Sequence, residues 1–367
     1  MSWTHTGAAQ KIRFGSGALD EVPAIVRDAS GRRILLVTTE GRLGSADGER
    51  LTKRLGRELV STFAGVQSHV PAPAVQAAMQ QARRDAADAI VSFGGGSCAD
   101  LGKAVCYFTE REAGTPGATW LDRPALPHVA VPTTYSGAEL TPFFGMTDPA
   151  TRRKSGGGGP TIAPVAAVYD PDLTVSTPVR VSAETGMNAL AHCVEAAYSP
   201  GRTPEAEAVA LAGARLIAEW LPAVVDDPVD LLARTRMFEG AALAGRALQN
   251  AGMGVHHGLA QLVGGRTGIP HGLANAVILA HAIRFNAAAV PEEMRRIGEA
   301  LGDADDPAAA VDRLVQRIGL PSRLSDCGVA DEDIDAVVRL SQSSPGVQMN
   351  PRPVSDDDAR EILEAAY

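Results

Sequence analysis

Residues 89–103 read AIVSFGGGSCADLGK. A short apolar run rich in β-formers, Ala89 to Phe93, passes straight into three glycines and a serine, and a segment of helical period follows. A strand of this kind is buried on both faces, as in a parallel sheet covered by helices. The glycines let backbone N–H groups come close to an anion, and a helix start adds roughly half a positive charge. The stretch therefore predicts a pyrophosphate seat at Gly94, Gly95, Gly96 and Ser97, with Asp100 on the first turn of the helix also meeting the cofactor. The spacing is neither GxGxxG nor that of a Walker loop, since no GK[ST] follows.

Outward from this stretch the same rhythm repeats. Strands are expected at 34–38, 59–63, 89–93, 128–131 and 165–169, and helices at 48–57, 73–87 and 98–107. Past residue 177 the pattern changes to Ala/Leu-rich helical segments at 182–198, 204–225, 228–249, 273–288 and 291–301, with shorter ones to 367. The expected organisation is an α/β dinucleotide-binding domain over 1–177, a parallel sheet with helices on both faces, followed by an all-α domain over 178–367. Pro171 and Pro178 stiffen the connector. The glycine-rich SGGGGP at 155–160 is expected to be a flexible loop.

A second turn, PTTYSGAE at 132–139, also follows a strand, so Thr133 and Thr134 would lie beside the glycine turn at the carboxyl edge of the sheet. Two such turns on one edge imply a dinucleotide lying across it. Thr39, ending the strand at 34–38, would meet the adenosine ribose. An acid there would favour a free 2′-hydroxyl, and neutral Thr39 does not repel a 2′-phosphate, so NADH and NADPH both stay open.

The helical half holds GMGVHHGLAQLVGGRTGIPHGLANAVILAH over 252–281. His256, His257, His271 and His281 stand there with Arg266 as the one charged residue between them. Buried imidazoles cost free energy unless each finds a partner, so a cluster of them points to chemistry. Asn188 and His192, four apart on one helix, share a face. His257 and His271 are expected on two different elements. Three imidazoles with one polar residue suit a divalent transition metal.

The 367 residues are 45% hydrophobic and 21% charged, with a formal net charge of −9. The basic run RRK at 152–154 is the one of note, which argues against nucleic acid as a partner. No apolar run is expected to cross a membrane, and MSWTHTGAAQKIRFG has no apolar leader core. Cys98, Cys106, Cys193 and Cys327 show no CxxC spacing and read as packing residues of a reducing, cytoplasmic compartment.

Taken together, GGGSxxDxxK from Gly94, PTTxxGxE from Pro132, DPxL from Asp170, GMNALAH from Gly186 and HGLAxxxGGxxxxPHGxANAxxLxH from His257 resemble the iron-containing alcohol dehydrogenase superfamily. The resemblance implies an NADH- or NADPH-dependent oxidoreductase with Asn188, His192, His257 and His271 at the metal positions. The metal-dependent members carry Asp where Asn188 stands, so the divalent ion, Fe or Zn, is expected to be weakly held or absent. Gln261 also stands where a His is common. Within the superfamily, Asn188, SHVP at 68–71, PTTYSGAELTPFFGMTD and NPRPV at 350–354 are similar to the maleylacetate reductases, which reduce the carbon–carbon double bond of maleylacetate to give 3-oxoadipate.

On that reading His192, His257, His271 and Tyr135 are catalytic, as oxyanion donors and proton donor, and Lys154 meets the cofactor by family position. Arg352 or Arg266 would hold a substrate carboxylate. A homodimer pairing through an N-terminal edge segment at 11–14 is implied by resemblance as well. Two other readings stand beside it. One is a metal-dependent alcohol or aldehyde dehydrogenase in which Asn188 ligates through its carbonyl oxygen. The other is a lyase or cyclase resembling dehydroquinate synthase, which asks for lysines that the helical half lacks.

Overall fold

A computed structural model of the chain describes residues 3–5, 7–114, 125–150 and 153–367, with Arg153 and Lys154 described by backbone alone. Two compact units result, one over Gly7–Thr177 and one over Pro178–Tyr367 together with the N-terminal residues. His5 joins those residues to the second unit, meeting the Thr203 hydroxyl at 3.1 Å and the Glu205 carboxylate at 3.1 Å.

In the first unit the strands are β1 (Lys11–Phe14), β2 (Ile34–Val37), β3 (Leu59–Phe63), β4 (Ala89–Gly94), β5 (His128–Pro132), β6 (Phe143–Asp148), β7 (Arg153–Gly158) and β8 (Ala166–Tyr169). Six of them form one sheet in the order β1-β8-β5-β4-β2-β3, every pair parallel. The helices are α1 (Val22–Asp28), α2 (Glu40–Leu43), α3 (Ala46–Leu55), α4 (Ala72–Arg84), α5 (Gly96–Glu112) and α6 (Asp172–Val175). Alternation along the strands divides the core in two. Ile34, Leu36, Val91, Phe93, Val129 and Val131 pack with Val22, Ile25, Leu51 and Leu55 on one face. Leu35, Val37 and Ile90 pack with Val75, Ala78, Leu101 and Val105 on the other. Both faces of β2, β4, β5 and β8 are thus covered, which is why these runs read as continuously apolar. Strand order reverses between β2 and β4, and the crevice at such a reversal is where open α/β sheets take ligands.

The run 155–160 is not a loop through most of its length. β7 pairs antiparallel with β6 from Phe143↔Gly158 to Asp148↔Arg153. A Cβ on Gly156 would lie 2.3 Å from the Phe144 carbonyl oxygen, and one on Gly157 would lie 2.7 Å from the Tyr107 ring. These glycines mark close approach of backbone and ring rather than looseness.

The second unit is helical: α7 (Val179–Tyr198), α8 (Pro204–Asp226), α9 (Leu231–Leu248), α10 (Val255–Thr267), α11 (His271–Asn286), α12 (Pro291–Leu301), α13 (Pro307–Arg317), α14 (Asp331–Ser341), α15 (Pro345–Gln348) and α16 (Asp356–Ala366). α8 is long and apolar enough, by length and composition, to cross a membrane, which corrects the expectation that no segment would be. Its Ala206, Ala210, Gly213, Ala214, Ile217, Leu221 and Val224 form one buried face, packed on α7, α9 and α12. Val255, Leu259 and Val263 recur every four residues along α10 and pack against Ala274, Val277 and Ile278 of α11 and Ile334, Val337 and Val338 of α14. Burial of each larger side chain contributes about 1.5 to 3 kcal/mol. α10 ends at Gly268 in the left-handed region, φ +79°, and Pro270 opens α11. That short turn sets His271 as the first residue of its helix.

Candidate active site

At the carboxyl edge of the sheet the glycine turn and the second turn are built against each other. The Thr133 N–H donates to the Gly94 carbonyl at 3.0 Å. A Cβ on Gly95 would meet Thr134 Cγ2 at 3.2 Å, and one on Gly96 would meet Ser136 Oγ at 2.9 Å. Part of the demand for glycine is therefore internal, set by how closely the two turns pack. Gly94 has φ +144° with Cys98 Sγ beneath it. Burial pushes the Cys98 thiol up to about 12, which makes it an inert packing group. The hydroxyls of Thr133 and Thr134 are buried and have no hydrogen-bond partner among the described residues. Ser97 lies on the first turn of α5.

Asp100 pairs with Lys103 at 2.8 Å. Lys103 is fully buried and also donates to the Ala138 carbonyl, the Thr141 hydroxyl and the Phe143 carbonyl. This pair fastens α5 to the segment after the second turn. Thr39 caps α2, its hydroxyl accepting from the Arg42 N–H at 3.2 Å. Tyr135 is buried beyond β5. Lys154 pairs with Thr147 through the backbone of the hairpin, and its side chain lies outside the described residues.

In the helical unit α7, α10 and α11 bring three of the expected histidines together. The His192 and His257 rings stack with centroids 4.6 Å apart and planes 12° apart, and His271 lies 6.1 Å from His257. Asn188 is held by Asn275, whose amide donates to Asn188 Oδ1 at 2.7 Å. Sequence reasoning missed Glu195, the residue that organises this cluster. Its carboxylate accepts from His256 N at 2.9 Å, the Tyr198 hydroxyl at 3.2 Å, His257 N at 3.4 Å and His257 Nδ1 at 2.7 Å. An acid three residues after His192 in an otherwise Ala-rich helix was the available signal, because a buried carboxylate demands donors.

Glu195, His256 and His257 each place a ligand-type atom within 4.8 Å of the others, a spacing that would suit a metal. Those atoms are bonded to one another. His256 Nε2 donates to the Asn275 carbonyl at 3.0 Å, so its Nδ1 accepts, and it faces His257 Nδ1 at 3.2 Å. The His257 proton thus sits on Nδ1, shared between Glu195 and His256. His257 Nε2 is left as a buried lone pair, and neither it nor His192 Nδ1 has a hydrogen-bond partner among the described residues. Burial holds His257 down to about 3. Burial and the neighbouring His257 hold His256 down to about 4 and His192 well below the usual range. His192, His256 and His257 are therefore neutral imidazoles at neutral pH. This gives His257 an acceptor's role, where the sequence reading gave it a donor's.

Both arginines proposed for a substrate carboxylate are already paired. Arg266 bonds Asp333 at 2.9 Å. Arg352 pairs with Asp358 at 3.3 Å and lies 4.0 Å over the Phe285 ring. A cavity of about 300 Å³ in the helical unit is lined by Val179, Arg180, Ala183 and residues 318–321 and contains none of the histidines.

A parallel sheet with a glycine turn at its strand reversal, in a chain that also carries a neutral imidazole cluster, defines a dinucleotide-dependent oxidoreductase. The comparisons take this further. Residues 9–171 match the family model of iron-containing alcohol dehydrogenase, and residues 182–367 match that of the C-terminal region of the Fe-containing alcohol dehydrogenase family. The chain belongs to the iron-containing alcohol dehydrogenase family. It is 35% identical to a maleylacetate reductase of Burkholderia cepacia over 97% of this chain and 95% of that one. The crystal structure of maleylacetate reductase from Rhizobium sp. strain MTP-10005 superposes with a TM-score of 0.88 at 33% identity, covering 100% of this chain and 98% of that one. A sulfoacetaldehyde reductase from Bifidobacterium kashiwanohense, solved in complex with NAD⁺, superposes with a TM-score of 0.88 at 27% identity, covering 100% and 99%.

Proposed function

We propose that this oxidoreductase reduces the activated carbon–carbon double bond of maleylacetate, or of a closely similar enone acid, at the expense of NADH or NADPH. The observation that carries the reading is a carboxamide, Asn188, beside the histidines, the one carboxylate of the cluster, Glu195, being taken up by His256, His257 and Tyr198. Where metal-dependent relatives are expected to hold a carboxylate, Asn188 stands with its carbonyl shared with Asn275. Reduction of a simple ketone develops an alkoxide, whereas reduction β to a ketone develops an enolate, which is far less basic. A site of imidazoles and a carboxamide, with no carboxylate among the ligand positions, suits the second demand better.

The dinucleotide supplies the hydride. On this reading Gly94 to Ser97 hold its pyrophosphate, and Thr133 and Thr134 offer it their unpartnered hydroxyls. His192 and His271 line the substrate carbonyl. His257, pinned by Glu195, receives a hydrogen bond at Nε2. A substrate carboxylate would reach Arg352 or Arg266 only by displacing Asp358 or Asp333.

The His257 Nε2 lone pair and the unpartnered His192 Nδ1 fit a divalent transition ion. His192, His257 and His271, with the Asn188 carbonyl, would hold it, and it would polarise the substrate carbonyl as a Lewis acid. With no carboxylate among those four, affinity would be low. The same reading places the enzyme in the cytoplasm, supported by four free cysteines. It also makes the enzyme a homodimer, for which the exposed edge strand β1 with Ile12 is the supporting feature.

Initial rates of NADH and NADPH oxidation with maleylacetate test the proposal, on chelated protein with and without added Fe²⁺ or Zn²⁺. A metal-independent rate is expected. A rate seen only with metal and simple aldehydes would favour the alcohol dehydrogenase reading instead.

A further inference from the structure

We propose that Asn350 is a positioning residue for His257: its amide holds the first turn of α10 in place beside Glu195, and so fixes where the His257 Nε2 lone pair points. The inference rests on the reading above, in which that lone pair serves the substrate, and it gives the NPRPV segment a role carried by its first residue.

A helix start leaves its first backbone N–H groups without partners, and the N-cap residue usually supplies one from its own side chain. Gly254 stands at the N-cap of α10 and has no side chain to offer. The donors are met from elsewhere in the helical unit. The Val255 N–H donates to Asn350 Oδ1 at 3.2 Å, across 95 residues of chain. The N–H groups of His256 and His257 donate to the two oxygens of Glu195, which also holds the His257 ring at Nδ1. The turn that carries His257 is therefore set by two side chains, Glu195 from α7 and Asn350 from the segment after α15.

The Asn350 amide can face only one way. Val255 requires an acceptor, and the Arg352 carbonyl at 3.0 Å requires a donor, so the two partners assign Oδ1 and Nδ2. Asn286, fully buried at the end of α11, pairs with this amide reciprocally. Asn286 Nδ2 donates to Asn350 Oδ1 at 3.0 Å, and Asn350 Nδ2 donates to Asn286 Oδ1 at 2.7 Å. The Asn286 side chain also meets the Tyr198 hydroxyl, which donates to Glu195 Oε1 at 3.2 Å. The two caps thus belong to one closed circuit, from Glu195 through Tyr198, Asn286 and Asn350 to α10 and back. In such a buried network each member fixes the next. The circuit is tightest at Gly254, where a Cβ would lie 2.9 Å from Glu195 Oε1 and 3.1 Å from Asn350 Oδ1. The Gly254 φ of −115° is open to any residue, so those two oxygens, and not the backbone, demand the glycine.

The test measures kcat and KM with maleylacetate and each dinucleotide, thermal unfolding, and long-range ¹H–¹⁵N NMR of the imidazoles. It compares the wild type with Asn350→Ala, Gly254→Ala and Val347→Ala. Asn350→Ala should lower kcat about 10-fold or more, the usual loss when a group that orients a functional side chain is removed, while KM for the dinucleotide changes by less than about twofold. Its spectra should show the His257 proton no longer held on Nδ1 alone. Gly254→Ala, which wedges the same two oxygens and leaves Asn350 in place, should move kcat and the His257 signals in the same direction, and it carries the test if Asn350→Ala fails to fold. Val347→Ala loosens the packing of α15 on the core of α10 without touching either cap, and should lower Tm with kcat and tautomer unchanged. A lower Tm in Asn350→Ala with the kcat and His257 signals of the wild type would make Asn350 purely structural and overturn the inference. A loss of kcat in Val347→Ala equal to that in Asn350→Ala would assign the effect to packing and overturn it as well. If the wild type does not turn over maleylacetate, the proposed reaction falls, and the NMR comparison alone then decides the role of Asn350.

Discussion

Glu195→Gln is the substitution that tests the architecture of the histidine cluster most directly. The carboxylate meets four donors, two at each oxygen: His256 N and the Tyr198 hydroxyl at Oε1, and His257 Nδ1 and His257 N at Oε2. An amide of the same shape has one acceptor oxygen and one NH₂. If the oxygen stays with His257, the NH₂ opposes the His256 N–H; the Tyr198 hydroxyl can turn round and accept, but a backbone N–H cannot. One buried donor is then orphaned, at a cost of about 1 to 3 kcal/mol. If the NH₂ faces His257 instead, the ring must move its proton to Nε2 and the free lone pair is lost. Either outcome harms the site. For a unit of this size the first amounts to a drop in Tm of about 2 to 4 °C per kcal/mol. The second removes function, and any affinity for Zn²⁺ should fall about 10- to 100-fold, as is usual when the group orienting a ligand is removed. The assays are thermal unfolding, Zn²⁺ titration, kcat with maleylacetate and long-range ¹H–¹⁵N NMR of the imidazoles, which reads the tautomer. Finding the His257 proton on Nε2 in the wild type, or a variant equal to it in stability, tautomer and kcat, would refute the reasoning.

Three other outcomes follow from the same geometry. Asn188→Asp adds an anionic ligand beside His192, His257 and His271 and should tighten binding of Zn²⁺ or Fe²⁺ by more than about tenfold, read by competition with a chromogenic chelator; unchanged affinity would remove Asn188 from the ligand set. Gly96→Ala puts a Cβ 2.9 Å from Ser136 Oγ and should raise KM for the dinucleotide more than it lowers Tm, whereas a loss of stability with unaltered KM would make the turn purely structural. Stability should fall as pH drops from about 6.5 toward 4 and below. Burial holds His256 to about 4 and His257 and His128 to about 3, so in this window the unfolded imidazoles bind protons that the folded ones refuse. Above 6.5 neither state binds them and the full stability is present. The slope is about 1.4 kcal/mol per pH unit for each histidine, and urea midpoints that do not change between pH 7.5 and 5 would contradict it.

Much of the fold was legible because the signal was local. The apolar run at β3 and the Pro-initiated α12 have the bounds that their periodicity predicts, and the edge segment proposed on resemblance is β1. α5 begins two residues earlier than its apolar pattern and runs on to Glu112, since Gly96 and Ser97 open its first turn and polar residues of good helix propensity carry its end. The β6–β7 hairpin was not legible. A run of glycines carries no side-chain period, and what makes these glycines a strand is a carbonyl from β6 and a ring from α5.

The site divides along the same line. Spacing on one helix put Asn188 beside His192, and the Gly/Pro-rich turn between His257 and His271 separated α10 from α11. Which imidazole nitrogen carries the proton is a different kind of fact. It follows from Glu195 on α7 reaching His257 on α10, with His256 held in its own tautomer by a carbonyl of α11. Three helices must pack before that proton has an address. The chemistry of His257, a lone pair offered rather than a proton, is thus a property of the packed unit, and a motif written in residue types alone cannot state it. This is why the sequence reading could name His257 and still give it the role of donor, and why Glu195, absent from the motif as read, is the residue whose replacement should change the site most.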